Sequence, residues 1–556
     1  MNRLKSSLIL AAIAASASIP SMAQLNSSAN EISKSLDIFA SLFKEVQLNY
    51  VDTLDAKKAI DTAIYAMLDE IDPYTNYFPS EDSEELSRMA TGEYGGVGSI
   101  INKGRDGRIR FSEPYANTPS KKAGIIAGDI ILRIDTTEIT PKHTVQTVSD
   151  LLRGTPGTHL SVDVCRPYTA DSLMTFEIVR EKIKTPVVPY FGLVGPENNI
   201  GYISLTSFTD NAFNETKKAL TQLLDRGAQS LVLDLRGNPG GLLESAVNIA
   251  GLFLPKGTEI VRTRGRNSEN EKVYKTEHKP IAPKLPLAVL IDESSASSAE
   301  ILAGAIQDLD RGVIIGNRSY GKGLVQTSRQ LPYDAYVKIT VAKYYIPSGR
   351  LIQAIDYSRR NPDGSVARTP DSLTTVYKTI HGRQVRDGGG ITPDVKADPL
   401  RSNRLLYTLQ SEGLDIDYAT RFAAQNPAIC PAGQFEITDS IFNDFVEFIV
   451  PQNLEYENDY PKALEALRKV IDDEGYLNDS VNANIQALEQ SLKRDIRSDL
   501  NLNREPISYI LTDNIVARYY DRAGAIEATL RFNRPLQEAI RILSNREEYD
   551  KLLSAE

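Results

Sequence analysis

Tryptophan is absent and histidine nearly so: four occur in 556 residues, at positions 143, 159, 278 and 381. None of them stands in a His-Glu-x-x-His pattern, and no serine stands in a Gly-x-Ser-x-Gly elbow. A zinc protease and an α/β-hydrolase triad are therefore unsupported. Cysteine is as scarce, and Cys165 and Cys430 alone make neither a disulfide framework nor a thiolate metal cluster. A basic excess is also missing. The 63 Lys and Arg face 73 Asp and Glu, for a net charge of −10, so no electrostatic footprint of a nucleic-acid partner exists. The apolar run Leu8–Ile19 falls well short of the roughly 20 residues that a membrane-spanning helix needs. What remains, 41% hydrophobic and 24% charged residues, is the composition of a globular multidomain protein of three or four domains, at roughly 100 to 200 residues each.

Residues 1–23 differ from the rest. Arg3 and Lys5, the apolar run, and the small-x-small site Ser21-Met22-Ala23 before Gln24 have the pattern of a cleavable secretory signal. No cysteine sits at the cleavage point, which disfavours a lipoprotein. An exported, disulfide-poor chain of this size is expected in a bacterial periplasm. Residues 24–90 then repeat apolar positions at helical spacing, as in Leu36, Phe39, Leu42, Phe43, Val46 and Ile60, Ile64, Met67, Leu68. Two helices joined by Asn49-Tyr50-Val51-Asp52 satisfy that pattern, and Pro73 stops the second, because proline disfavours helix at the preceding residue.

Between 91 and 181 the texture changes to short apolar runs punctuated by glycine, which predicts a β-rich module. Its segment Thr118-Pro119-Ser120-Lys121-Lys122-Ala123-Gly124-Ile125-Ile126-Ala127-Gly128-Asp129-Ile130-Ile131-Leu132 resembles the hallmark of PDZ domains. The resemblance implies that the loop Gly95, Gly96, Val97, Gly98 offers backbone N–H groups to a peptide's terminal carboxylate. The strand that follows would then pair with the peptide.

Residues 182–400 alternate strands and helices and predict an α/β core with a mixed or mostly parallel sheet. Turns of small residues close two of its strands: the Gly-rich Arg236-Gly237-Asn238-Pro239-Gly240-Gly241 follows Leu231–Leu235, and the Ser-rich Ser294–Ser298 follows Leu287–Asp292. Such turns lead into helix N-termini, where unpaired N–H donors build sites. With histidine unhelpful, a nucleophilic serine needs another base. A lysine whose ammonium is disfavoured by burial supplies one. Ser297 sits at a strand-to-helix turn, and Lys322 follows the strand Val313-Ile314-Ile315 within Gly321-Lys322-Gly323.

The blocks Asp234–Gly241, Ser295-Ala296-Ser297, Glu300-Ile301 and Gly321-Lys322-Gly323-Leu324-Val325-Gln326 are similar in order and spacing to those of the C-terminal processing (tail-specific) serine proteases. The layout of helical segment, PDZ insertion and α/β core is similar too. The resemblance, over about residues 30–400, implies Ser297 as nucleophile, Lys322 as general base and Gln326 as the residue that orients it. It also implies an oxyanion hole from the backbone near Gly240, Gly241 and Ser298, with no metal or organic cofactor. Protein substrates with free C-termini would be the partners.

One departure is visible. The family pattern Ser-Ala-Ser-Ala-Ser-Glu here reads Ser295-Ala296-Ser297-Ser298-Ala299-Glu300. A second hydroxyl, Ser298, thus stands beside the first as a competing nucleophile. Taken singly, each element also has a structural reading. Ser294 or Ser295 suits an N-cap, Lys322 a solvated loop, Gln326 a strand lining, and Asp234 with Arg236 an ion pair. A non-catalytic PDZ peptide-binding scaffold is the rival function. The stretch Gly316–Gly323 imitates a phosphate-binding loop, but Gly323 replaces the hydroxyl that would hold Mg²⁺, and a strand rather than a helix follows. Residues 401–556 carry helical periodicity, as in Leu464, Leu467, Val470, Ile471 and Ile485, Leu488, Leu492. They predict a helical C-terminal domain compatible with stabilising the core, forming a homo-oligomer or docking an envelope adaptor. The fold class is accordingly multidomain α+β.

Overall fold

The computed structural model describes residues 20–82, 88, 91–170, 172–266, 271–357, 366–454, 456, 460–492 and 495–555. The signal segment therefore lies almost wholly outside the described residues, as does the loop read at Pro362-Asp363-Gly364. Two compact units are present, residues 1–77 and 78–556. In the first, helices α1 (Pro20–Asn49) and α2 (Ala56–Asp69) flank the expected turn. Asp55 caps α2 by accepting the Lys58 N–H at 3.1 Å. Beyond α2, Asp72 accepts the N–H groups of Tyr74 and Thr75, both at 2.8 Å, and so closes the turn ahead of further helix.

The second unit opens with the β-rich module: β1 (Glu93–Gly96), β2 (Ser99–Lys103), β3 (Ile109–Pro114), α3 (Pro119–Ala123), β4 (Ile130–Ile134), α4 (Val145–Leu152), β5 (His159–Cys165), β6 (Leu173–Val179) and β7 (Glu181–Lys184). Strands β2, β3, β4, β5 and β6 follow one another in a sheet, and β1 pairs separately with β7. Alternate residues of these strands, among them Ile109, Phe111, Ile131, Val162 and Val164, meet Val148 and Leu152 of α4 in one apolar core. Gly124 ends α3 at φ 98°, a left-handed conformation that a side chain would strain.

Next come β8 (Tyr190–Val194), β9 (Ile200–Ser204), α5 (Ala212–Asp225), β10 (Ser230–Asp234), α6 (Leu243–Ala250), β11 (Glu259–Gly265), β12 (Lys272–Lys275), β13 (Leu287–Ile291), α7 (Ser298–Asp308), β14 (Val313–Gly316), β15 (Leu324–Gln330), β16 (Tyr336–Tyr345) and β17 (Val395–Lys396). The central sheet runs β8-β9-β10-β13-β14-β17; β8 is antiparallel to β9 and the other pairings are parallel. Its strands are near-continuous hydrophobic runs because both faces are covered. Leu231, Leu233, Val289 and Ile314 face the helices α5, α6 and α7. Their neighbours Val232, Ala288, Leu290, Val313 and Ile315 face the opposite layer.

That opposite layer comes from the end of the chain. Helices α8 (Arg404–Ser411), α9 (Leu414–Gln425), α10 (Asp439–Ile449), α11 (Tyr460–Asp473), α12 (Asp479–Leu492), α13 (Ile496–Leu502), α14 (Arg504–Thr529), α15 (Arg534–Leu543) and α16 (Arg546–Leu552) complete the described chain. Of these, α8, α9, α10, α13 and α14 build a separate aromatic-rich core around Tyr418, Phe442 and Phe445, to which α11 and α12 contribute no buried residue. Leu536, Ala539 and Ile542 of α15 and Tyr549 of α16 instead pack on the sheet. The Tyr549 hydroxyl exchanges hydrogen bonds with the N–H and carbonyl of Leu287. A break at residue 400 thus does not separate the two cores, because the last helices are a layer of the α/β sandwich.

Leu536→Ala and Ile542→Ala are each expected to lower stability by about 2 to 5 kcal/mol, read as a shift of the urea midpoint. Leu467→Ala, on the exposed helix α11, should stay within about 0.5 kcal/mol of wild type.

Candidate active site

The strand β10 ends in a rigid turn. Asp234 accepts the Arg236 backbone N–H at 3.0 Å and its Nε at 2.9 Å, and takes the Tyr202 hydroxyl at 2.7 Å. Burial lowers the Arg236 affinity for its proton, but the Asp234 carboxylate outweighs it and holds the guanidinium above its ordinary value. The pair is a brace for the segment that follows. Asn238, fully buried, donates to Leu205 O at 2.8 Å and accepts the Gly240 N–H at 2.8 Å. Gly240 and Gly241 stand at φ 97° and 145°. A Cβ on Gly240 would lie 2.8 Å from that of Ser297, so only glycine lets this loop close on the serine.

The second turn, from β13 into α7, is tied to the first. Asp292 accepts the N–H groups of Gly237, Ser294 and Ser295, each at 3.0 Å. Ser295 donates to Leu235 O at 2.8 Å. Neither Ser294 nor Ser295 caps α7. That position belongs to Ser297, whose φ of 56° and ψ of −115° are unusual for a residue with a side chain. The Ser297 hydroxyl forms no cap bond to the helix, while Glu300 accepts its N–H at 2.9 Å. Ser298 is buried and donates to Gly241 O at 2.9 Å, which engages the hydroxyl that competed for the nucleophile role.

Glu300 joins this turn to the lysine segment. One carboxylate oxygen takes the N–H of Ser297 and that of Lys322, both at 2.9 Å. The other takes the Gly321 N–H at 2.7 Å and the Ser319 hydroxyl at 2.5 Å. Burial pushes the Glu300 carboxyl up to about 7, although all four donors favour its ionised form. The Ser-x-x-Glu spacing is legible in the sequence as half of a capping box. Its second grip, on residues 321 and 322, has no local signature.

Ser297, Lys322 and Gln326 line one cavity of about 650 Å³, with Gly241, Ser298 and the apolar wall of Leu243, Tyr274 and Val325. No histidine lines it. One position needs revision. The Gly240 N–H is bound to Asn238 and so is not a donor for an oxyanion. Among the expected donors that leaves the N–H groups of Gly241 and Ser298. The Gln326 amide donates to Thr340 Oγ1 at 3.2 Å, within the β15–β16 ladder. Strand β15 pairs on one side with β16, and its other edge borders the cavity.

A second cavity, of about 510 Å³, runs between β2 and α4 and is lined by Ser99, Ile100, Ile101, Val145, Gln146 and Ser149. Gly95 and Gly96 are not loop residues: they pair with Lys182 and Glu181. The loop shrinks to Val97-Gly98, with Gly98 at φ 76°. The far wall of this groove is Thr206, Ser207 and Thr209 of the α/β core. Phe208 between them donates its N–H to Gly240 O at 3.0 Å and accepts that of Leu242 at 2.6 Å.

Glu300→Gln replaces one acceptor oxygen by a donor facing two N–H or O–H groups and is expected to lower peptidase activity by about a hundredfold. Because the folded carboxyl sits above its ordinary 4.5, the folded chain holds the proton more tightly than the unfolded one. Wild-type stability should fall as pH rises from 4.5 through 7. The gap to Glu300→Gln should narrow by about 3 kcal/mol between pH 4 and pH 8 in urea titrations.

Residues 199–366 match peptidase family S41, residues 110–166 match the PDZ domain, and residues 405–543 match the C-terminal helical domain of probable PDZ-proteases. A carboxy-terminal-processing protease of Bartonella bacilliformis is 37% identical over 352 residues, which are 62% of this chain and 79% of that protein. The carboxy-terminal processing protease CtpA of Bacillus subtilis is 32% identical over 311 residues, 56% of this chain and 65% of that one. A carboxyl-terminal-processing protease of Synechocystis is 37% identical over 289 residues, 51% of this chain and 66% of its own. At that identity and coverage the chain belongs to the carboxy-terminal-processing proteases, the serine-type peptidases of family S41.

Proposed function

We propose that the protein is an exported endopeptidase that captures the C-terminal tail of a protein substrate in its PDZ groove and cleaves the chain by a serine–lysine mechanism. One observation carries this reading: Ser297 and Lys322 line one cavity that also borders the open edge of β15. A substrate strand added to that edge gains main-chain hydrogen bonds, which any sequence supplies. Uncharged Lys322 Nζ takes the proton of Ser297 Oγ as that oxygen attacks the scissile carbonyl carbon. The carbonyl oxygen becomes the oxyanion, held by the N–H groups of Gly241 and Ser298. Such a donor contributes roughly 2.7 to 4 kcal/mol. Collapse breaks the C–N bond, the ammonium of Lys322 protonates the leaving amine, and an acyl-enzyme remains. Water then attacks the ester, with the same amine as base.

The tail's carboxylate would meet the backbone at Val97-Gly98. Its preceding residues would lie between β2 and α4, against the Thr206–Thr209 wall that supports the Gly240 loop. The segment 1–23 supports export to the periplasm.

Ser297→Ala and Lys322→Ala should each abolish cleavage of an unfolded polypeptide while a tail peptide still binds. Wild-type kcat/KM should rise with pH as the amine loses its proton. Equal inertness of wild type and both variants, with peptide binding intact, would instead establish the scaffold. For export, N-terminal sequencing of the secreted protein should begin at Gln24, and an unprocessed N-terminus contradicts it.

A further inference from the structure

We infer that Tyr344 is a positioning residue that holds the Ser297 and Lys322 segments together through their carbonyl groups, an assignment that rests on the serine–lysine reading. Tyr344 lies in β16, opposite Thr263 of β11, and its side chain is 1% exposed. Its backbone N–H donates to Gly323 O at 3.0 Å, so its main chain already grips the residue after the lysine. Its hydroxyl faces Ser297 O at 3.2 Å and also donates to Lys322 O. One phenolic proton thus stands between the carbonyl oxygens of the two residues whose side chains line the cavity.

The arrangement complements that of Glu300, whose single oxygen Oε2 receives the N–H groups of the same two residues. Both segments are therefore bridged twice, once through their donors and once through their acceptors. Without the hydroxyl the Ser297 carbonyl keeps the Ile301 N–H at 2.9 Å, but the Lys322 carbonyl loses the phenol's proton and faces it with two negative dipole ends together, which is costly where water is scarce. Separation of the segments relieves that repulsion and carries the amine away from Ser297. A displacement on the order of 1 Å lowers a rate by about a hundredfold. The ring also lines the cavity floor beside Ile301, but it is the hydroxyl that acts on the catalytic pair.

Electrostatics gives a second consequence. A carbonyl freed from its donor presents its full partial charge near the amine and stabilises the ammonium form. The pH at which Lys322 becomes an active base then rises.

The experiment compares wild type, Tyr344→Phe, Tyr345→Phe and Ser297→Ala in cleavage of one unfolded polypeptide. Activity is taken per folded molecule, well below each protein's own Tm. Tyr345, on the opposite face of β16 beneath Arg264, controls for loss of a hydroxyl. Expected for Tyr344→Phe is a tenfold to hundredfold lower kcat with KM within twofold, an acid limb of kcat/KM moved to higher pH, and a Tm only a few degrees lower. Tyr345→Phe should match wild type. A Tyr344→Phe kcat within twofold of wild type overturns the inference while leaving the serine–lysine reading intact. So does a variant that folds at no temperature, or one whose loss of activity tracks its loss of folded protein with the acid limb unmoved, since the phenol would then serve stability alone. Retained cleavage by Ser297→Ala defeats the serine–lysine reading itself, and the inference with it.

Discussion

A carboxylate removed from water and surrounded by four donors from two chain segments is the interaction on which the catalytic geometry depends. Glu300 belongs to the first turn of α7, yet three of its four donors come from Ser319, Gly321 and Lys322. The desolvation of a buried carboxylate is tolerable only when its lone pairs are filled. Each donor is therefore held by the need of the charge. Because the central sheet places β13 beside β14, the segments after the two strands emerge next to each other. The sheet brings them within a few ångströms, and the carboxylate fixes the remainder.

The conformation of Ser297 follows from the same tension. Ser297 occupies a positive φ that its side chain resists, and it is kept there from three directions. Ala296 N–H is bound to Asn238 O at 2.9 Å, the Ser297 N–H to Glu300, and the Ser297 carbonyl to Ile301 N–H at 2.9 Å. Gly240 completes the enclosure because its missing Cβ leaves room for the Ser297 side chain.

Much of this was legible before any coordinates. The parallel strands announced themselves as unbroken apolar runs, and β10 (Ser230–Asp234) and β13 (Leu287–Ile291) fall on the runs Leu231–Leu235 and Leu287–Asp292 to within a residue. Ser297 and Lys322 stood out only jointly, through the order and spacing of the blocks that carry them, because a serine before a helix and a lysine in a glycine turn are each ordinary taken singly. What stayed illegible is non-local. Asn238 reads as a turn residue, and nothing near it says that its side chain will take the Gly240 N–H and remove that group from the oxyanion set. Gly95 and Gly96 look like loop, but their partners lie in β7, almost ninety residues on, a pairing that glycine content does not forecast. The C-terminal helices show an amphipathic stripe but not its destination, since α15 and α16 cover a sheet more than two hundred residues upstream.

The destinations of those helices divide the second unit by the kind of force that holds each part. The α/β core and α15 share one apolar cluster, so their contact is maintained by removal of hydrocarbon from water, which salt scarcely affects. The PDZ module keeps its apolar core to itself. It meets α9 and α14 through charges: Arg110 with Asp417, and Lys121 with Asp521 at 2.6 Å. Burial raises Glu113, in the same strand as Arg110, while the nearby Arg522 opposes that rise. Arg110 is buried between Asp106 and Asp417, so loss of either partner would strand a desolvated charge, whereas the half-buried Lys121–Asp521 pair contributes about 0 to 1 kcal/mol. Asp521 also stands at φ 55°, in a break that divides α14 into two helical pieces. The two contacts therefore differ in what would loosen them: the sheet and α15 part only if hydrocarbon returns to water, whereas the PDZ module is held by charges, of which the half-buried Lys121–Asp521 pair is the more open to screening by salt and Arg110 the less.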